Sequence, residues 1–216
     1  MEHQFWNDLW EKEEIGFHMK TVNTFLTKYY KALALPKNSR IFIPLCGKTL
    51  DIGWLLSNGH KVVGVELSEI AIEQLFLELG ITPKISILDE FKLYSAKDLD
   101  IFVGDIFNLT KKLIGPVYTV FDRGGLVALL QNSRLQYAKH IIHITKSAPQ
   151  LLITFQYDMT QMEGPPFSIS QKEIETHYKH TYTPFLLETT NVEGPFNPLA
   201  KVKEKVWHLQ RFNHNE

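Results

Sequence analysis

Glu66, Asp105 and Arg123 each stand at the end of an apolar run, where a strand of an α/β sheet would present its last side chains to a ligand. Glu66 follows residues 62–65 and comes about 20 residues after the turn-forming stretch Pro44-Leu45-Cys46-Gly47-Lys48, the spacing at which a carboxylate can accept both hydroxyl protons of a ribose. Strand, tight loop, helix, strand and acid in that order make an adenosine half-site. The loop has Gly47 but not the three glycines of a dinucleotide fingerprint, so few backbone amides can close on a pyrophosphate. A cofactor without phosphate, S-adenosylmethionine (SAM), suits it. Leu45, held in the turn by Pro44 and Gly47, would touch that cofactor through backbone and side chain. The competing reading is an ordinary α/β turn with a core leucine and a solvated acid at a strand end.

Asp105 would accept from the exocyclic amine of adenine, with Ile106 as an apolar face beside the ring; capping a helix is a compatible second role for it. Arg123 directly follows Asp122, so it is either a clamp for an anionic group of cofactor or substrate or an ion-pair partner of that aspartate. Asp51 reads as a first-turn helix charge able to meet a cofactor amino group. Cys46 has apolar neighbours and no histidine beside it, which makes it a buried small residue rather than a nucleophile. His18 reads as a hydrogen-bonded structural group rather than a base.

The elements that must position these residues alternate. Residues 41–43 are a strand and 49–59 a helix closed by Gly59-His60; 62–65 are a strand, and Ser68 caps a helix running to 79. Extended chain follows at 85–88, a less regular segment at 91–99 that suits a hairpin, and strands at 100–104, 117–121 and 150–157, with a helix over 133–147. Ser170 opens a further helix. Residues 185–192 and 203–211 form two long strands about the turn-rich 194–198, a C-terminal antiparallel hairpin. The pattern predicts a doubly wound α/β fold: a mostly parallel sheet with helices on both faces.

The 216 residues fit one domain, and Lys+Arg 23 against Asp+Glu 24 gives no reason to expect nucleic acid or a membrane surface as a partner. A small neutral or anionic substrate is expected. The first residues lack the basic start and apolar core of a signal peptide, and no apolar run reaches the length of a bilayer span, so a soluble, cytoplasmic protein is expected. A monomer is the expected state by default, not from any feature of the sequence. One cysteine excludes an internal disulfide and a cysteine-cluster zinc site, and no metal is called for.

The chain resembles the thiopurine S-methyltransferases, their bacterial members in particular. The resemblance runs nearly end to end: Phe5-Trp6 and Trp10 with Ile15-Gly-Phe-His18, Pro44-Leu-Cys-Gly-Lys48 with Asp51 and Trp54, Gly59-His60, Gly64-Val-Glu-Leu-Ser68, Gly104-Asp105, Asp122-Arg123-Gly124 with 126–129 and 134–137, Pro165-Pro-Phe167, and 204–209. It implies a class I, Rossmann-like SAM-dependent methyltransferase with a seven-stranded sheet, one domain over 1–216, and an aromatic N-terminal arm (about 1–20) covering the site. It also implies methyl transfer to the sulfur of thiopurines or related aromatic thiols, and in bacterial relatives methylation of selenium or tellurium species, a detoxification. The family pattern usually has Ala-Ala or Gly-Ala after the Asp-Arg pair; this chain has Gly124-Gly125.

Within that frame Trp10 lies over the cofactor's sulfonium or methionine portion, where an aromatic face attracts a cation by about 0.5–2 kcal/mol. Trp6 is the alternative packing anchor. Phe17 contacts the substrate by stacking on a purine ring, or else is a helix-face core residue; Arg123 serves cofactor, substrate or both. Methyl transfer to a thiolate gains from alignment and desolvation, and an aromatic thione ionises readily, so no dedicated catalytic base is expected. Methyl transfer to halide, metalloid or small aliphatic thiols, and cofactor binding without turnover, are the other readings.

Overall fold

The structure, a computed structural model, describes residues 3–192 and 201–212. The chain forms two compact units, Met1–Tyr118 and Thr119–Glu216.

In the first unit, helices α1 (His3–Glu11) and α2 (Thr24–Tyr29) precede β1 (Arg40–Pro44), α3 (Leu50–Ser57), β2 (Lys61–Glu66), α4 (Glu69–Leu79), β3 (Lys84–Leu88), β4 (Phe91–Ala96), β5 (Leu99–Val103) and α5 (Lys111–Ile114). The strands lie in the order β3-β4-β5-β2-β1. β1, β2 and β5 are parallel, and their cores, Ile41 to Ile43, Val62 to Val65 and Leu99 to Phe102, are aliphatic or aromatic at nearly every position because both faces are covered. Ser68 caps α4 by accepting the Ala71 N–H, as its sequence position predicts. Glu69 in the first turn of α4 accepts from Lys92 and Tyr94 of β4, tying that helix to the antiparallel hairpin.

The second unit holds β6 (Thr119–Arg123), α6 (Gln131–Ile144), β7 (Gln150–Gln156), α7 (Gln171–Tyr178), β8 (Tyr182–Asn191) and β9 (Lys203–Arg211). β6 and β7 are parallel; β9 pairs antiparallel with both β7 and β8, giving the expected C-terminal hairpin. The turn-rich 194–198 lies outside the described residues. Buried Arg134 of α6 donates to Leu129 O at 2.8 Å and to Glu173 Oε1 of α7 at 2.9 Å, so one guanidinium closes the end of a loop and joins two helices. Its carbon centre lies 5.4 Å from the Phe167 ring.

The α/β class and parallel centre agree with expectation, and the strand count does not. Five strands in the first unit and four in the second make nine among the described residues, against seven. The hairpin β3–β4 is what enlarges the count. Phe91 and Tyr94 of β4 bury, whereas all five side chains of β3 stay exposed, so only one of its strands carries a core-facing pattern. Strand β6 also starts two residues later than read, which places Asp122 and Arg123 inside its last turn of pleat rather than after it.

Candidate active site

The parallel register brings three strand ends together in the first unit. Pro44 pairs with Val65 and Glu66 with Val103, so the loop after β1, the acid of β2 and the Gly104-Asp105 step after β5 are neighbours. The backbone stitches them: Cys46 N–H donates to Val65 O at 3.0 Å and Gly104 N–H to Glu66 O at 2.9 Å.

Glu66 is buried, and its carboxylate is held entirely by backbone. Gly47 N–H donates to Oε2 at 2.7 Å, and Leu67 and Ser68 N–H donate to Oε1 at 2.8 and 3.0 Å. A carboxylate offers about four lone-pair sites, so acceptor capacity remains for a ligand hydroxyl. Burial raises this carboxyl above its ordinary value while the three amides oppose the rise. Leu45 sits with φ 46°, a left-handed conformation costly for a leucine, in the turn next to these groups. Lys48, the one cation of the loop, is bound to Glu78 of α4 at 2.7 Å. The loop therefore presents neither a free glycine-rich nest nor its lysine to a phosphate. Burial, and then the Glu66 charge, push the Cys46 thiol well up, which keeps it protonated.

The aromatic arm reaches the same loop. Trp10 is 3% exposed, and a Cβ on Gly47 would lie 3.2 Å from its ring, so the absence of a side chain at Gly47 is what lets the indole seat there. Phe17 meets Trp6 and Trp10 edge-on, with both centroids at 5.5 Å, and Phe5 extends the cluster through Trp6 at 5.3 Å. At the start of the arm, His3 Nε2 lies 3.2 Å from Asp105 Oδ2. Asp105 Oδ1 accepts Phe107 N–H at 2.9 Å, so the capping role is real, and Ile106 beside it is buried.

In the second unit Arg123 ends β6. Buried Asp122 before it accepts from Gly125 N–H at 3.1 Å, Leu126 N–H at 3.4 Å and the Tyr137 hydroxyl at 2.8 Å. Burial pushes its carboxyl up to about 6, against the pull of those donors. Burial likewise raises Glu204 of β9, with the Arg123 charge as the counterweight.

Trp10, Leu45, Glu66, Asp105 and Ile106 thus all lie in the first unit, Phe17 joins Trp10, and Arg123 belongs to the second. His3, the amide role of Gly47 and the hydroxyl contact of Tyr137 were not assigned from sequence. Only for Tyr137 did a signal exist: a Cβ on Gly125 would lie 2.2 Å from its hydroxyl, and Gly125 is the position where the chain departs from the family pattern. Among the described residues no group of three or more metal-capable side chains converges, and no helix is long and apolar enough to cross a membrane.

Solved structures sharing this architecture include SAM-dependent methyltransferases. One from Anabaena variabilis superposes with a TM-score of 0.67 at 12% identity, covering 97% of this chain and 95% of its own. A Burkholderia thailandensis 1,6-didemethyltoxoflavin-N1-methyltransferase with bound S-adenosylhomocysteine superposes with a TM-score of 0.65 at 14% identity, covering 98% and 87%. The fold is thus that of a class I SAM-dependent methyltransferase. The profile of the thiopurine S-methyltransferase family matches residues 1–212. Thiopurine S-methyltransferases of Teredinibacter turnerae and Xanthobacter autotrophicus are 46% and 44% identical over 211 and 212 residues, covering 98% of this chain in each case and 98% and 100% of theirs. The chain belongs to the thiopurine S-methyltransferase family and uses SAM as its cofactor.

Proposed function

We propose that the chain transfers the methyl group of SAM to the sulfur of a thiopurine or related aromatic thiol, leaving S-adenosylhomocysteine and a thioether. The observation that carries this reading is the arm: Phe17 lies between two tryptophans beside the Gly47 loop, a surface suited to a flat, polarisable acceptor. The name shared by its relatives supports the same acceptor class. The family match over 1–212 supports reading both units as one catalytic domain.

Bound SAM supplies a methyl group on a sulfonium, open to in-line displacement. The residues present fit such a cofactor: buried carboxylate for ribose, aromatic face for a cation, no presented phosphate nest. Glu66 would accept from the ribose hydroxyls, Asp105 and Ile106 would hold adenine, and Leu45 would line the loop side. Trp10 would cover the cationic end, while Phe17 contacts the acceptor and excludes water with it. Arg123 would orient an anionic group of cofactor, acceptor or both. No side chain need take a proton, because a thiol of pKa about 8.5 already supplies a few per cent thiolate near neutrality. Chemistry of this kind belongs to detoxification in the cytoplasm.

Incubation with methyl-labelled SAM and a panel of thiopurine, thiophenol, selenite and tellurite, read by mass spectrometry, tests the proposal. A methylated aromatic thiol is the expected product. Methylated selenium or tellurium with no thioether would move the acceptor to the chalcogen oxyanions, and SAM binding with no product from any acceptor would reject the reading.

A further inference from the structure

The arm meets the first unit at a polar point near its tip, where His3 faces Asp105, and at another at its root. Past α1, the main-chain bonds of Lys12, Glu13, Glu14 and His18 are all local, to Asp8, Trp10, Leu9 and Ile15. Nearly every side chain between 11 and 22 is exposed or half-exposed. The root comes at Asn23, which is buried and does two jobs. Its side-chain oxygen caps α2 by accepting Phe25 and Leu26 N–H at 2.9 and 3.1 Å, and its own N–H donates to Asp51 Oδ1 at 2.7 Å. Asp51 is 3% exposed, and its second oxygen accepts the Thr49 hydroxyl at 2.8 Å. Thr49 in turn closes the loop, donating its N–H to Cys46 O at 3.2 Å and capping α3.

One carboxylate therefore holds the exit of the Gly47 loop with one oxygen and the root of the arm with the other. The same loop bears Trp10 on Gly47 and lends the Gly47 amide to Glu66. We propose that Asp51 is a positioning residue for cofactor binding, which sets the seat of Trp10 by locking Asn23, the root of the aromatic arm, to the loop that Trp10 covers. The inference rests on the reading that Trp10 covers the cofactor. It assigns Asp51 a task different from direct contact with a cofactor ammonium: what matters is a hydrogen-bond acceptor facing Asn23, not a charge facing the ligand.

A double-mutant cycle in the full chain, read as equilibrium SAM and S-adenosylhomocysteine affinity by calorimetry, separates these. Asp51→Ala should weaken SAM roughly tenfold, the scale of one lost bond to a buried charged acceptor. Asp51→Asn, whose carbonyl can still accept Asn23 N–H and whose amide nitrogen can meet the Thr49 hydroxyl, should restore affinity to within about twofold. In a Trp10→Ala background the Asp51→Ala loss should largely vanish, since the seat it maintains is already empty. If Asp51→Asn is as weak as Asp51→Ala, or if the two losses add in full, the positioning role is overturned. If Trp10→Ala leaves SAM affinity unchanged, the functional reading of Trp10 falls and the role of Asp51 with it. Asp51→Asn, which keeps both bonds, carries the test should Asp51→Ala not fold.

Discussion

Gly125→Ala puts one methyl group into the contact between Asp122 and Tyr137. The backbone at Gly125 is right-handed helical, φ −71° and ψ −69°, so alanine meets no dihedral penalty and the effect comes from the methyl alone. That carbon would lie 2.2 Å from the Tyr137 hydroxyl oxygen, 2.6 Å from Asp122 Oδ1 and 3.1 Å from Tyr137 Cζ. Comfortable heavy-atom contacts lie near ~3.5 Å, so the ring must withdraw by roughly 1 Å. A withdrawal of that size breaks the 2.8 Å bond from the hydroxyl to Asp122. Losing a buried bond to a charged acceptor costs about 1.5–3 kcal/mol, and overpacking adds about 1–3 kcal/mol, for a total of about 2.5–6 kcal/mol. Such a loss is a large share of the stability of a natural domain. Urea unfolding followed by circular dichroism at neutral pH measures it, alongside Tyr137→Phe and the double variant. Tyr137→Phe should cost about 1.5–3 kcal/mol by itself. Because it also removes the atom that clashes most, the double variant should fall short of additivity by more than about 1 kcal/mol. A Gly125→Ala variant within about 0.5 kcal/mol of the parent, or strict additivity, would refute the reasoning.

Two further expectations concern the buried acids. Asp122 is held at about 6 against an ordinary 3.8, so its contribution to stability is complete below the lower value and is lost as pH rises through the upper one, a swing of about 3 kcal/mol. Asp122→Asn keeps an acceptor for Gly125 and Leu126 and should abolish the swing; a stability difference between variant and parent that is flat from acid to neutral pH would contradict this. Glu66→Gln turns an amide NH2 toward at least one of three backbone donors and should weaken SAM at least about tenfold at neutral pH. Because burial raises the Glu66 carboxyl above 4.5, parental affinity should fall as pH drops toward that raised value while the variant stays flat, as titration calorimetry across pH would detect.

Local chemistry was the legible part. β1, β2 and β5 announced themselves as aliphatic runs because a parallel strand buries both faces, and Ser68 and Ser170 marked α4 and α7 because an N-cap depends only on residues two or three positions away. The place of Glu66 at the end of β2, after the loop that follows β1, was legible for the same reason. The hairpin β3–β4 was not resolved, since Ile85, Ile87 and Leu88 are exposed although apolar and carry no core-facing alternation. What sequence could not supply were contacts closed by the tertiary fold: His3 with Asp105, Asn23 with Asp51, and Tyr137 with Asp122 span 102, 28 and 15 positions, distances over which no local propensity acts. Gly125 was visible as an oddity. Its cause, a tyrosine hydroxyl occupying the space a methyl would need, was not.

The binding of Gly47 to Glu66 and of Lys48 to Glu78 bears on competition among metabolites. Many adenosine-bearing molecules carry a phosphate at the 5′ position. In a phosphate-binding loop the amide and the lysine would welcome that group; here a carboxylate occupies the first and another neutralises the second. If Glu66 accepts from ribose as proposed, a nucleotide approaching it would bring its negative charge toward a buried anion, with the loop's lysine already paired to Glu78. On the proposed reading of Glu66, the loop would act as a charge filter that admits a cationic adenosine conjugate and disfavours nucleotides even where they outnumber it.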